Sequence, residues 1–353
     1  MPNNRITTEK RAMILTAICE GLALNSACRM FKASKPNVLR LLREVGEACE
    51  DWHNRHFRNL SVARLELDEQ WSYVHTHKER MTRAEKNNHP ERGDSWMWAA
   101  LDANSKAIIY WQTGKRTARA AHTFAENIAS RVEGRVQITS DKLQGYAYAI
   151  PAAFGARADF ATEEKMFKSS KVPSHEWPKY RVDPLVGMER KAMTGNPDLR
   201  TATVCHVERF FLTMRQSNKR AARKTLAYSK RWDNHALMSS IHVFVYNMCR
   251  KHETTKQTPA MMLGVVNRKW DLVDVIAMTD EFLRKRENAA FEAAFASKFA
   301  VRPLAMRTYE PQKPKVPWYL DPESGGPNPL VKKPGIEYDA DAQAGTEGNV
   351  ELS

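Results

Sequence analysis

The chain has 353 residues, enough for two or three domains and a large buried core. Fifty-five Lys and Arg against 41 Asp and Glu give a formal charge of +14, and the last 20 residues hold five acids and no Lys or Arg, so the basic excess lies before residue 334. A strongly basic body favours a polyanionic partner, DNA or RNA, while the lack of an apolar run of about 18 residues or an apolar N-terminal h-region argues against membrane insertion and secretion.

Residues 6–46 read as three short helices. Thr8–Glu20 is a helical stretch that Gly21 would stop. Ser26 can cap a second helix, Lys32 and Ala33 make a turn, and Ser34 can cap a third helix with Pro36 in its first turn. In the third helix Val38, Leu41, Leu42 and Val45 form one apolar stripe, which leaves Lys35, Asn37, Arg40 and Arg43 outside. This is the pattern of a helix-turn-helix whose last helix reads the major groove; a plain bundle with a solvated basic face would look similar. The DNA-binding domain is expected over residues 1–50, followed by a helical linker at 51–64.

The next region changes character. Leu65–Val74, Ser95–Leu101 and Ala107–Gln112 are predicted strands, with a turn at Ala103–Lys106. Thr117–Val132 reads as a helix, Arg135–Thr139 as a strand, Gly145–Phe154 as a helix and Ala156–Ala161 as a fifth strand. The order implies an α/β fold, a mixed sheet with flanking helices. Residues 164–202 read as an insertion or long loop. Ala202–Lys230 reads as a long helix, broken near Ser217, and Asn234–Cys249 as another. A helical extension at 266–306 precedes a tail at 307–353 that is rich in Pro, then acidic, and expected to lack regular structure.

Three carboxylates fall where rigid elements would carry them: Asp68 in a strand, Asp141 at a strand end and Glu208 in a helix. Carboxylate oxygens are the hard ligands Mg²⁺ prefers, and two such ions can clamp both oxygens of an in-line phosphoryl displacement. Each acid has a plainer reading. Asp68 shares a strand face with Glu66, a rival ligand, while Glu69 points the other way. Asp141 can cap a turn, and Asp94 and Asp102 are expected in turns. Glu208 can be an ordinary surface acid, although basic and apolar residues surround it. Trp71, Trp96, Trp98 and Trp111 are expected in the sheet core, and His75, His77, His206 and His242 as structural histidines, with His206 within reach of the site. Cys249 and His252 are spaced like half a zinc site with no second pair, and the odd number of cysteines, five, suits a reducing compartment.

Over residues 65–265 the sequence resembles the IS1-type insertion-sequence transposases, DDE-superfamily enzymes with an RNase H-like core. The resemblance is carried by Leu67-Asp68-Glu69-Gln70-Trp71-Ser72-Tyr73-Val74, Thr139-Ser140-Asp141 with Gly145 and Tyr146, Val207-Glu208-Arg209-Phe210 running to Arg215, Arg220-Ala221-Ala222-Arg223-Lys224-Thr225, Tyr246-Asn247 and Thr258-Pro259-Ala260. It implies that Asp68, Asp141 and Glu208 are the catalytic, metal-binding triad for Mg²⁺, with Mn²⁺ substituting. It implies DNA contacts by Arg215, two helical turns after Glu208, and the basic stretch around it supplies Arg209, Lys219, Arg220, Arg223 and Lys224. The partners implied are double-stranded DNA and further copies of the chain, and the localisation is cytoplasmic, with the nucleoid. The chain departs from the family in lacking an N-terminal zinc-ribbon, so the helix-turn-helix would recognise element ends alone. A non-catalytic regulator derived from a transposase and an RNase H-like nuclease are the rival classes.

Overall fold

The computed structural model describes residues 6–167, 184–222 and 225–299. Three helices open the chain: α1 (Thr8–Cys19), α2 (Leu24–Met30) and α3 (Lys35–His56). Thr7 caps α1, and Gly21 follows it in the left-handed region at φ +93°. Ser34 caps α3 as expected, its Oγ accepting the Asn37 N–H at 3.4 Å. Ser26 does not cap α2, which begins at Leu24 after Ala23, because apolar contacts of Leu22 and Leu24 seat that start. α3 continues as one helix through residue 56, and Val38, Leu41, Leu42 and Val45 form its buried stripe.

A short strand β1 (Leu60–Ser61) leads into β2 (Arg64–Val74), then one 3-10 turn (Lys78–Arg80), α4 (Arg83–Asn88), β3 (Gly93–Asp102) and β4 (Ile108–Gly114). The expected turn closes on Asp102, whose carboxylate accepts the N–H groups of Asn104 and Ser105. After α5 (Ala118–Ala129) and β5 (Val132–Glu133) come β6 (Val136–Ser140), α6 (Gln144–Phe154), β7 (Ala158–Phe167) and β8 (Leu185–Thr194). The chain ends its regular structure with α7 (Cys205–Ser217), α8 (Trp232–Cys249), α9 (Pro259–Met262) and α10 (Leu272–Phe299).

The main sheet has the order β4-β3-β2-β6-β7-β8. β2, β3 and β4 are antiparallel neighbours, β6 and β7 run parallel to β2, and β8 returns antiparallel at the edge. The fold is therefore a mixed α/β sheet with helices on both faces. On one face Val207, Phe210, Phe211 and Met214 of α7 pack on Met97, Ala99 and Leu101 of β3. On the other, Phe124 of α5 and Tyr146 and Ile150 of α6 meet Leu67, Trp98 and Ile138, in a core continuous with α1 and α3.

Two expectations are corrected. The stretch 164–202 is not a plain loop: β7 runs on to Phe167 and β8 adds an edge strand, paired from Phe160↔Thr194 to Phe167↔Leu185. Ala202–Lys230 breaks at Ser217, as expected, but the part beyond the break is not helical in its described residues. Asn218 ends α7, a turn follows it, and three carbonyls beyond it are bonded to β2 or the residue after it: Ala221 O accepts from Gln70 Nε2 at 3.2 Å, Thr225 O from Tyr73 Oη at 3.2 Å, and Ser229 O the His75 N–H at 2.8 Å. The Pro-rich and acidic tail lies outside the described residues. No helix among those described is long and apolar enough to cross a membrane.

Gly46 lets α3 lie close against α8: a Cβ there would stand 2.7 Å from Leu237 Cβ and 3.0 Å from its carbonyl oxygen. Gly46→Ala gains about 1 kcal/mol in helix propensity but overpacks against a backbone that must itself move, at roughly 1–3 kcal/mol. Chemical denaturation is expected to give a net loss of stability; an unchanged or higher midpoint would mean that the two helices separate freely.

Candidate metal centre

β2 is buried on both faces because it has sheet neighbours on both sides and helices above and below. Its pairing with β6 stops early. The register runs from Arg64↔Gln137 to Leu67↔Ser140 and ends there. Asp68 is the next residue of β2 and Asp141 the next after β6, so the two acids leave the ladder side by side. Past that point no strand among the described residues pairs with β2 on its β6 side, an isolated bridge of Val74 to Ser229 apart, and side chains from both of its faces reach the same opening. Carboxylate oxygens of Asp68, Glu69 and Asp141 accordingly all lie within 4.8 Å of one another, a grouping able to hold a metal ion.

The backbone fixes these groups. Asp68 Oδ1 accepts the Glu69 N–H at 2.7 Å, and Asp141 Oδ1 accepts the Leu143 N–H at 3.0 Å. Glu69 is held by the Tyr146 hydroxyl on α6 and by Arg116 Nε at 3.1 Å. Arg116 also reaches Asp141 Oδ2 at 3.3 Å, and its guanidinium lies 4.8 Å over the Trp96 ring. Burial pushes the Asp68 carboxyl up to about 7, and the neighbouring Asp141 and Glu208 charges add to the rise. Burial likewise carries Glu69 up to about 8, with the Asp141 charge reinforcing it. Asp141 is raised as well, chiefly by burial. One arginine does not offset three crowded carboxyls.

Glu208 stands on α7 near the start of the helix, close enough for its charge to act on Asp68 and Asp141. Its carboxylate is outside the three-acid group and is ion-paired with Lys165 of β7. The start of α7 is anchored by two other acids. Glu66, buried on β2, accepts the N–H groups of His206 at 2.8 Å and Val207 at 3.0 Å, with His206 Nδ1 2.5 Å from its other oxygen. Buried Glu163 accepts from Arg190 Nε at 3.0 Å and from the Val204 N–H at 3.4 Å. A carboxylate at a helix N-terminus satisfies N–H groups that have no partner within the helix.

The sequence-derived candidates thus fall into distinct places. Asp68 and Asp141 adjoin, and Glu208 borders them. Glu66, the rival ligand, is occupied as the cap of α7, and His206 binds it rather than the acid cluster. Glu66, Cys205 and His206 form a second possible ligand group. Glu69 points to the far face, as alternation predicts, and is held there by Tyr146, yet its carboxylate still comes within reach of Asp68 and Asp141 across the open side of β2. Arg116, Tyr146 and Lys165 were not foreseen, and only the Gly145-Tyr146 pair in the sequence hinted at one of them. Trp98 and Trp111 are buried in the sheet, whereas Trp71 and Trp96 are half-buried. His242 is structural, between the Met238 and Ser217 carbonyls.

Lys35, Arg40 and Arg43 are exposed on the first turns of α3, and Asn37 Oδ1 accepts from Arg40 Nη2 at 3.3 Å. Arg209 is exposed beside Glu208, and Arg215 lies in the last turn of α7. Lys219 and Arg220 follow the helix rather than extend it; Arg220 is drawn inward, donating to the Asn234 carbonyl at 2.9 Å. Lys35, Lys219 and Arg220 line a common cleft of about 640 Å³ with Lys230 and Arg231. Arg223 and Lys224 lie outside the described residues.

Glu66→Ala orphans one buried and one half-buried N–H group and is expected to cost about 2 kcal/mol, read by denaturant titration; a neutral result would show that α7 does not depend on this pin. A pH titration tests the crowded acids. Their folded pKa values exceed the ordinary ones, so the folded state binds protons more tightly, and stability falls as pH rises through about 7 and 8. The buried histidines, depressed to about 3 or 4, act in the opposite direction but only below the ordinary value of about 6.5. Between pH 6.5 and 9, metal-free protein is expected to lose thermal stability, and Glu69→Gln to flatten the slope. A flat native profile in that window would contradict the crowding.

No family model matches this chain, and no curated protein matches it. Among solved structures it is similar, at 11% identity, to one titled "Cryo-EM structure of piggyBac transposase synaptic complex with hairpin DNA (SNHP)", covering 81% of this chain and 75% of that one, with a TM-score of 0.38. It is also similar to "Mos1 transposase paired-end complex with left transposon end" at 11% identity, covering 45% of this chain and 60% of that one, with a TM-score of 0.21. A third, "Crystal structure of the Mos1 Strand Transfer Complex", gives 12% identity over 45% and 59%, with a TM-score of 0.20. The chain spans about 60% of the length of the Mos1 chains it matches. At these scores the likeness carries no weight beside the site itself.

Proposed function

We propose that this chain is a DNA transposase that cuts and joins phosphodiester bonds at the ends of an insertion sequence, on an RNase H-like core. The observation that carries the reading is the exit of Asp68 and Asp141 side by side where β6 leaves β2, with Glu69 among them and Glu208 at the border. The sheet order β4-β3-β2-β6-β7, with an antiparallel half and a parallel half, agrees with such a core.

The residues fit divalent cations. The donors are carboxylate oxygens, hard ligands suited to Mg²⁺ or Mn²⁺. Their crowding raises the pKa values of Asp68, Glu69 and Asp141, so cations would relieve a repulsion that Arg116 only partly offsets. Asp68, Asp141 and Glu208 would hold them, with Glu69 beside Asp68. Ions held there would supply activation of the attacking hydroxyl and stabilisation of the leaving oxygen. The chain's own residues supply position. The Glu69 and Leu143 N–H groups orient Asp68 and Asp141, and Glu66 and Glu163 set the start of the helix that bears Glu208. Release of Glu208 from Lys165 would free its carboxylate to join the other acids.

The basic residues of α3, α7 and the stretch after α7 serve the substrate. Lys35, Asn37, Arg40 and Arg43 on α3 would read and grip DNA as a helix-turn-helix, and Arg209, Arg215, Lys219, Arg220, Arg223 and Lys224 would contact backbone phosphates. Water cuts the strand to leave a 3′-hydroxyl, which then attacks target DNA and displaces a 3′-oxygen there. Two ends must be held together, so the working form is a homo-oligomer.

The test is a supercoiled plasmid carrying the gene with its native flanking DNA, incubated with protein and Mg²⁺ or Mn²⁺, with nicks and joints mapped at nucleotide resolution. Cuts at element ends and strand joining are expected, with at least a thousandfold loss in Asp141→Asn if the carboxylates act as a unit. Binding without cutting would turn the reading to a regulator, and cutting without end preference or joining to a nuclease.

A further inference from the structure

Residues 75–92 leave the sheet between β2 and β3 as the 3-10 turn and α4. The excursion is firmly built. Thr82 and Glu85 form a reciprocal capping box, and Lys115 Nζ donates to the carbonyls of Arg92 at 2.9 Å and Asp94 at 2.8 Å. Gly93 closes it at φ +83°, where a Cβ would lie 3.1 Å from Met81 Sδ. Between this excursion and the start of α5 lies a cleft of about 510 Å³. Five of the residues lining it are Lys or Arg and one, Asp94, is an acid. Met81, Pro90 and Trp96 supply apolar surface. Arg116 belongs to both cleft and acid cluster: its guanidinium bonds Glu69 and Asp141 and lies over Trp96.

We propose that this cleft takes an unpaired nucleotide of the substrate strand, next to the phosphodiester addressed by Asp68 and Asp141. The proposal rests on the reading of the acid cluster given above and adds to it the form of nucleic acid the site accepts. The volume lies in the range of pockets that take one small ligand, of which a single nucleotide is an instance. The cations face a phosphate, and the apolar wall faces a base, the combination that holds single strands without reading their sequence. Extracting a base from a duplex costs a few kcal/mol, so the preferred occupant is a base already unpaired, at a strand end or overhang. Continuity through Arg116 sets its place: a phosphate at the acids has its neighbouring nucleotide at the cleft.

The experiment compares fluorescence anisotropy of a blunt duplex with that of the same duplex bearing a short 3′ or 5′ overhang, using the full chain in EDTA. Lys78→Glu with Lys86→Glu changes two exposed rim cations, and Lys251→Glu with Lys269→Glu is the charge-matched control away from the cleft. Native protein and control are expected to bind one overhang about tenfold more tightly than the blunt end, and the rim variant to lose that preference while blunt binding changes severalfold at most. Equal binding of blunt and overhanging ends by native protein, or a preference that survives in the rim variant, would overturn the proposal. Mn²⁺ binding, measured separately with and without Asp141→Asn, distinguishes the two readings. Metal binding with no overhang preference sinks the cleft alone. An overhang preference with no metal binding sinks the catalytic reading and leaves the cleft a strand-binding site.

Discussion

The short pairing between β2 and β6 sets the chemistry of this protein. Four residues of β2 are matched to β6, and then β6 ends while β2 continues. A longer ladder would have put Asp141 into the sheet as one more alternating residue, separated from Glu69 by the strand plane. Ending it at Ser140 leaves β2 open along one side at Asp68, and carboxylates from both faces meet there. Antiparallel pairing to β3 persists along the whole of β2, so the opening does not loosen the strand that carries two of the acids.

That arrangement is electrostatically expensive. Asp68, Glu69 and Asp141 all have raised pKa values, with burial as the leading cause in each. Had stability been the only constraint, apolar residues would serve better in the middle of a sheet. The nearby cations do not erase the cost. Arg116 is shared between Glu69 and Asp141 and is about one-third exposed, and Lys165 is engaged by Glu208. Both are long side chains, whereas Asp68 and Asp141 are tied to backbone N–H groups and Glu69 to the buried Tyr146 hydroxyl. Rigid acids beside movable cations form a site ready to exchange its counter-ions.

Much of this was legible in the sequence, and the failures have physical causes. Alternation and β-branched or aromatic residues located β2, β3 and β4, and the Ser-Asp turn after β6 located Asp141. Ser34 was readable as a cap because the stripe from Val38 to Val45 fixes the face of α3. Glu69 lies on the opposite face from Asp68, as alternation requires; its joining the acids was not legible because the sequence does not show that β6 stops at Ser140 and leaves β2 open on that side. β8 was missed because an edge strand need not alternate: most of its residues are exposed, including Leu185, Val186 and Met188. The run after Ser217 looked helical because basic and Ala residues favour helices, but the carbonyls of Ala221, Thr225 and Ser229 are claimed by β2 side chains and backbone. Tertiary partners overrode local propensity.

The acids of β2 divide the labour by face and by depth. Glu66 is fully buried and used up on the N–H groups of α7, Asp68 sits at the opening, and Glu69 is turned to Tyr146 and Arg116. They are placed by advances of two residues and then one along a single strand, so the geometry between them is as stiff as the strand. Glu208 cannot be placed that way, because it comes from a helix formed some 140 residues later, and a helix can slide or rotate on a sheet. Glu66 removes that freedom: the strand that presents Asp68 also grips the two N–H groups just before Glu208. A helix-borne ligand is thereby referenced to the strand-borne ones through two hydrogen bonds instead of through the whole hydrophobic layer between them.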